Sequence, residues 1–221
     1  MADRRHKLAA TRLYALLTEQ HCRRPWRETA ESLLAGGADA IQLREKALPD
    51  GEFLARARTL RELTARAGAL LIINDRSDVA LLSEADGVHL GQGDLPPADA
   101  RDLLGPDLII GWSTHSAEQA SLARGLPVDY VGVGPFAPTT TKGYRHGMGA
   151  ELVRSVCSHV KVPAVAIGGI TARNAAEAIE AGASAVAVCQ ALCSAEDPEA
   201  AARELRAAVE GAARRRSNLH A

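Results

Sequence analysis

The stretch "PAVAIGGITARNAAEAIEAGASAVAV", Pro163 to Val188, runs from one short apolar segment through a glycine pair and a helical repeat into a second apolar segment. Pro163 to Ile167 and Ala185 to Val188 are apolar throughout, as expected of parallel strands covered on both faces. Between them Ala175, Ala178, Ile179 and Gly182 recur at helical spacing, and the glycine closes the pattern. Strand, helix and strand in so short a span point to a parallel α/β architecture.

The same alternation extends outward along the chain. Strands are expected at Leu13–Leu17, Ala40–Arg44, Ala69–Ile73, Gly87–Leu90, Leu108–Trp112 and Tyr130–Gly134, besides the two already quoted. Phe53, Ala57, Leu60 and Leu63 form one helical apolar face, and Leu152, Val156 and Val160 another. A last helical pattern runs from Glu199 to Glu210. Eight strands, each followed by a helix and with no linker-like shift in composition, predict a single (β/α)8 TIM barrel with parallel strands. The domain is expected over residues 1–212, with 213–221, "ARRRSNLHA", as a flexible C-terminal tail. The third and fourth units are short, which leaves a doubly wound sheet as the alternative.

The totals agree with such a domain. The chain has 221 residues, 47% hydrophobic and 24% charged, with only 3% aromatic, so the bulk of the core is aliphatic. A formal charge of -1 offers no general attraction for nucleic acid or an anionic membrane. No apolar run is long enough for a membrane span or secretory core, so a cytoplasmic protein is expected. The four cysteines, Cys22, Cys157, Cys189 and Cys193, lack CxxC spacing and are read as inert thiols in a reducing compartment.

In a parallel barrel the ligand site forms where strands end and βα loops begin. The chain places polar residues at those ends: Arg44, Glu45 and Lys46; Asn74 and Asp75; Asp94; Ser113, Thr114 and His115; Thr139 to Lys142; Gly168 and Gly169; Cys189 and Gln190. Alternation puts Gln42, Arg44 and Lys46 on one side of their strand, opposite Leu43 and Glu45. Cations directed into a barrel mouth are costly without something negative beside them. Asp75 and Asp94 supply oxygen ligands of the kind magnesium accepts beside a substrate phosphate. A magnesium diphosphate would satisfy acids and cations together. The glycine pair ahead of a helix suits a second phosphate, held on backbone N–H groups.

Jointly, "QLREK", "IINDR", "VHLGQGD", "IGWSTH", "GPFAPTTTKG" and "AIGGIT" resemble the thiamine phosphate synthase family in order and spacing, from Leu13 to about Leu205. The resemblance implies a magnesium-dependent transferase that couples hydroxymethylpyrimidine diphosphate to hydroxyethylthiazole phosphate. It implies that Gln42, Arg44, Lys46, Asn74, Ser113 and Lys142 bind the pyrimidine diphosphate, and that Asp75 and Asp94 hold magnesium. Arg44, Lys46 and Lys142 would be catalytic. Thr139, Thr140, Thr141 and the backbone of Gly169 would bind the thiazole phosphate, with Cys189 and Gln190 standing where the family has a small apolar residue and a serine. Partners are small-molecule substrates, with a homo-oligomer left open. Two alternatives stand beside this expectation: a thiazole tautomerase with His115 as base, and a catalytically silent metabolite-binding barrel.

Overall fold

The computed structural model describes residues 2–138 and 147–219. Its centre is a closed barrel of eight parallel strands in the order β1-β2-β3-β4-β5-β6-β7-β8, with β8 pairing back onto β1. The strands are β1 Leu13–Leu17, β2 Ala40–Leu43, β3 Leu70–Asn74, β4 Gly87–Leu90, β5 Ile109–Thr114, β6 Tyr130–Val133, β7 Ala164–Ile167 and β8 Ala185–Val188. The expected barrel is therefore present. Strand β5 extends past the expected end, so Ser113 and Thr114 belong to the sheet, where they pair with Gly132 and Val133.

Two layers of apolar packing follow from strand alternation. Leu13, Ala15, Leu17, Ile41, Leu43, Leu71 and Ile73 face outward into the cluster shared with the helices, while Tyr14, Leu16, Ala40, Leu70, Ile72, Ile109 and Tyr130 fill the barrel interior. Helix α1, Ala2–Ala10, precedes the barrel and was not anticipated from the sequence. Its Leu8 joins the interior cluster, and its Arg4 and Arg5 pair with Asp86 and Asp129. It thereby closes the N-terminal end of the barrel.

The crossover helices are α2 Trp26–Ala35, α3 Asp50–Ala67, α4 Ser77–Leu82, α5 Pro97–Leu104, α6 Ala117–Ala123, α7 Gly149–His159 and α8 Ala175–Glu180. Phe53, Ala57, Leu60 and Leu63 are buried along α3, as their spacing implies. A single helical turn, α9 Gln190–Cys193, follows β8 before the long α10, Pro198–Leu219. Residues 213–219, set apart in the sequence as tail, are helical here. Arg215 pairs with Glu180, and Arg216 donates to the carbonyls of Ile179 and Ala183, which holds that end of α10 against α8. No helix among the described residues is long and apolar enough to cross a membrane.

Candidate active site

At the C-terminal ends of the strands, β2 supplies two of the deepest polar groups. Gln42 is 3% exposed and Arg44 4%, whereas Lys46 lies beyond the strand and is exposed. Arg44 still belongs to the ladder, its N–H donating to Leu17 O. Glu45 points the other way, as alternation requires. It accepts from Arg56 at 3.0 Å and from the Glu19 backbone N–H at 2.7 Å, so it anchors the loop after β1 to α3 instead of facing the mouth.

Asn74 ends β3, and Asp75 turns out of it with a left-handed backbone, φ 65°, a conformation that Asp tolerates better than most residues. The Asp75 N–H donates to His89 O, which ties the turn to β4. Asp94 comes from the loop after β4, where one of its oxygens accepts from Gly91 N at 2.6 Å. A side chain on Gly91 would crowd that carboxylate. The two acids meet. Burial pushes the Asp75 carboxyl up to about 6, and hydrogen bonding and repulsion from Asp94 add to this, while Lys46 and Arg44 pull the other way. Asp75, Asp94, Arg44 and Lys46 thus share one field at the mouth.

The far side of the rim is built by two glycines. Gly168 and Gly169 have φ of 94° and 64°, a region L side chains rarely enter. The segment after β6 lies against them: Phe136 N donates to Ile167 O, and Ala137 N to Gly168 O. A Cβ on Gly169 would come within 2.6 Å of Pro138 O and 2.8 Å of Ala137 C, so only glycine permits this approach. Asn174 then fastens the turn by accepting from Thr171 N and donating to Gly169 O. Thr139, Thr140, Thr141 and Lys142 lie outside the described residues.

After β8, Cys189 heads α9 and Gln190 is exposed. The Cys189 thiol contacts Cys193, which lowers its pKa; burial works against this, and the charge of Arg44 assists. Cys193 is pushed up to about 12, chiefly by that same contact. Cys22 also reaches Cys193, so three of the thiols form one cluster between β1 and β8. His115 sits at the start of α6, with Nδ1 2.6 Å from Gly134 O and its backbone N–H on Gln119.

The barrel interior adds residues the sequence reading did not single out. Gln42 Nε2 donates to Tyr14 Oη at 2.8 Å, and Tyr14 Oη lies 2.9 Å from Tyr130 Oη. Tyr130 Oη is 2.9 Å from His89 Nδ1, and His89 Nε2 is 2.9 Å from Ser113 Oγ. Gly111 and Gly132 make room, since a Cβ on Gly111 would overlap the Tyr130 ring and one on Gly132 would press on His89. Tyr14, His89 and Tyr130 stand within the expected strands Leu13–Leu17, Gly87–Leu90 and Tyr130–Gly134. The alternation in "LYALL", "GVHL" and "YVGV" carried the signal that they share the inward face.

Comparison with known proteins gives the chain its family. A family model described as thiamine monophosphate synthase matches residues 13–192. The thiamine-phosphate synthase of Albidiferax ferrireducens is 46% identical over 207 residues, covering 92% of this chain and 94% of that protein. The thiamine-phosphate synthase of Moorella thermoacetica is 49% identical over 187 residues, 84% of this chain and 89% of that one. Among solved structures, the thiamine phosphate pyrophosphorylase from Pyrococcus furiosus superposes with a TM-score of 0.86 at 41% identity, covering 94% of this chain and 98% of that chain.

Proposed function

The chain belongs to the thiamine monophosphate synthase family and is a transferase, and on that premise we propose that it joins hydroxymethylpyrimidine diphosphate to hydroxyethylthiazole phosphate. The products are thiamine phosphate and pyrophosphate. The observation that carries this reading is the mixed-sign cluster at the barrel mouth. Arg44 and Lys46 act on Asp75, whose carboxyl is pushed up first by burial and then by the neighbouring Asp94. Such a set suits a ligand with negative oxygens and a divalent cation together.

The donor set fits magnesium. Asp75 and Asp94 offer oxygen ligands, and among the described residues no group of three or more His, Cys, Asp or Glu is arranged to hold a metal by itself. The remaining ligands would be substrate phosphate oxygens and water. When bound, magnesium supplies charge neutralisation on the diphosphate.

In the proposed reaction the methylene C–O bond of the pyrimidine substrate breaks, and its electron pair leaves with the diphosphate. The thiazole nitrogen lone pair then forms the new C–N bond to the resulting carbocation. Arg44, Lys46 and Lys142 stabilise charge on the departing group, which requires preorganised donors and no protein nucleophile. Gln42, Asn74 and Ser113 hold the pyrimidine end. Thr139, Thr140, Thr141, Gly169, Cys189 and Gln190 hold the thiazole phosphate, and alignment of the two substrates supplies much of the remaining rate. The barrel together with the whole of α10 acts as one domain in the cytoplasm, with these small molecules as partners.

The test is incubation of the purified chain with both substrates, with and without magnesium, followed by mass analysis. Magnesium-dependent thiamine phosphate is expected. Its absence overturns the reading, and conversion of a carboxylated thiazole phosphate alone would support the tautomerase.

A further inference from the structure

One arginine that the proposed chemistry does not use clamps the loop after β1 to the end of β2. Arg56, on α3, gives one guanidinium nitrogen to Glu45 at 3.0 Å and the other to Glu19 at 2.8 Å. Its Cζ lies 4.7 Å from the centre of the Trp26 ring on α2, which supports the flat face of the cation. Four segments thus meet on it. The Glu45 oxygen that accepts from Arg56 also accepts from Glu19 N–H at 2.7 Å, and the other accepts from Thr18 Oγ1 at 3.5 Å. The Arg56 and Glu45 side chains are only 11% and 10% exposed, so solvent screens their charges little.

Glu45 stands between Arg44 and Lys46, the two cations proposed to meet the diphosphate. Strand alternation turns its side chain away from theirs, but the field of a carboxylate does not stop at the strand. The charges of Glu45 and Arg44 both act on Cys189 at the end of β8, so their fields overlap at the rim. Left without a cation, Glu45 would repel a diphosphate. It would also draw Lys46, which lies beyond the ladder and is exposed.

We infer that Arg56 is a positioning residue for the diphosphate site: it neutralises Glu45 from behind, so that Arg44 and Lys46 present their charge to the ligand undiminished. The fork is what suits an arginine to this task. A guanidinium meets two carboxylates at fixed angles while Trp26 holds its plane, which an ammonium does not reproduce. Among the described residues, Arg56 is the ion-pair partner of Glu45. The role rests on the diphosphate reading proposed above and needs no contact between Arg56 and substrate.

Calorimetric titration with inorganic pyrophosphate in the presence of magnesium tests it on the intact chain, as wild type, Arg56→Met, Glu45→Gln and the double variant. Arg56→Met should weaken binding about tenfold. Glu45→Gln, which leaves Arg56 in place, should bind at least as tightly as wild type, and weaker binding there overturns the inference by itself. The double variant should return to within about twofold of wild type, although its clamp is lost. In coupling assays Arg56→Met should raise the KM for the pyrimidine diphosphate and leave the thiazole phosphate KM unmoved. A double variant as weak as Arg56→Met means that the arginine only holds the loop, which overturns the inference, as does an Arg56→Met that binds like wild type. A wild type that binds no pyrophosphate removes the diphosphate site itself, and the role of Arg56 falls with it.

Discussion

Asp75 is a carboxyl group that the fold makes harder to ionise, with a pKa near 6 against an ordinary 3.8. Between those values the folded chain binds more protons than the unfolded one, so stability falls as pH rises through that window and stays lower above it. Thermal melting of the metal-free protein should show that fall, and Asp75→Asn should lack it and melt higher at neutral pH. In the proposed site magnesium would bind the ionised pair, so its stabilising effect on the wild type should be larger at pH ~7 than at pH ~5. Equal shifts at both would contradict the pairing of Asp75 with Asp94. Asp94→Ala and Lys142→Ala should each lower pyrophosphate release by on the order of a hundredfold or more while leaving circular dichroism intact. Near-normal release from either would remove that residue from the site.

At the scale of elements, the lower end of the barrel is held by one aspartate before each of β2, β4 and β6. Asp39 accepts from the N–H groups of Arg12 and Leu13, Asp86 from Leu71, and Asp129 from Ile110. Each also pairs with arginines: Asp39 with Arg206, Asp86 with Arg4 and Arg61, Asp129 with Arg5 and Arg101. These carboxylates lock adjacent strand starts together and tie α1, α3, α5 and α10 to the barrel. Asp86→Ala, which strands buried donors, should cost about 3 kcal/mol in urea unfolding without changing kcat. Gly169→Ala sets a Cβ against Pro138 O beside the proposed thiazole phosphate site, so it should raise the KM for thiazole phosphate as well as lower the melting temperature. The strands themselves were legible because a covered parallel strand is a short unbroken aliphatic run. Helices α1 and α9 were not: the first is highly charged, and the second is a single turn with no periodicity to detect.

Across the whole molecule, the stabilising ion pairs and the proposed chemistry occupy opposite ends of one barrel. The aspartate–arginine belt lies at the strand starts, and the acids, cations and paired glycines lie at the strand ends. The rim was legible because strand ends fall at predictable places and Arg44, Asp75 and Asp94 are conspicuous after apolar runs. The interior network was not, since tyrosine reads as apolar bulk and its contacts join β1, β4 and β6, which are remote in sequence. Glu45 shows how one step of alternation removes a charge from the site and gives it to α3. The central claim is that this rim accepts a metal and a diphosphate as one unit. Calorimetric titration of the intact chain with inorganic pyrophosphate, with and without magnesium, tests it most directly. Magnesium should tighten pyrophosphate binding by about tenfold or more, with Asp94→Ala losing that gain; equal affinity in both conditions would contradict the account.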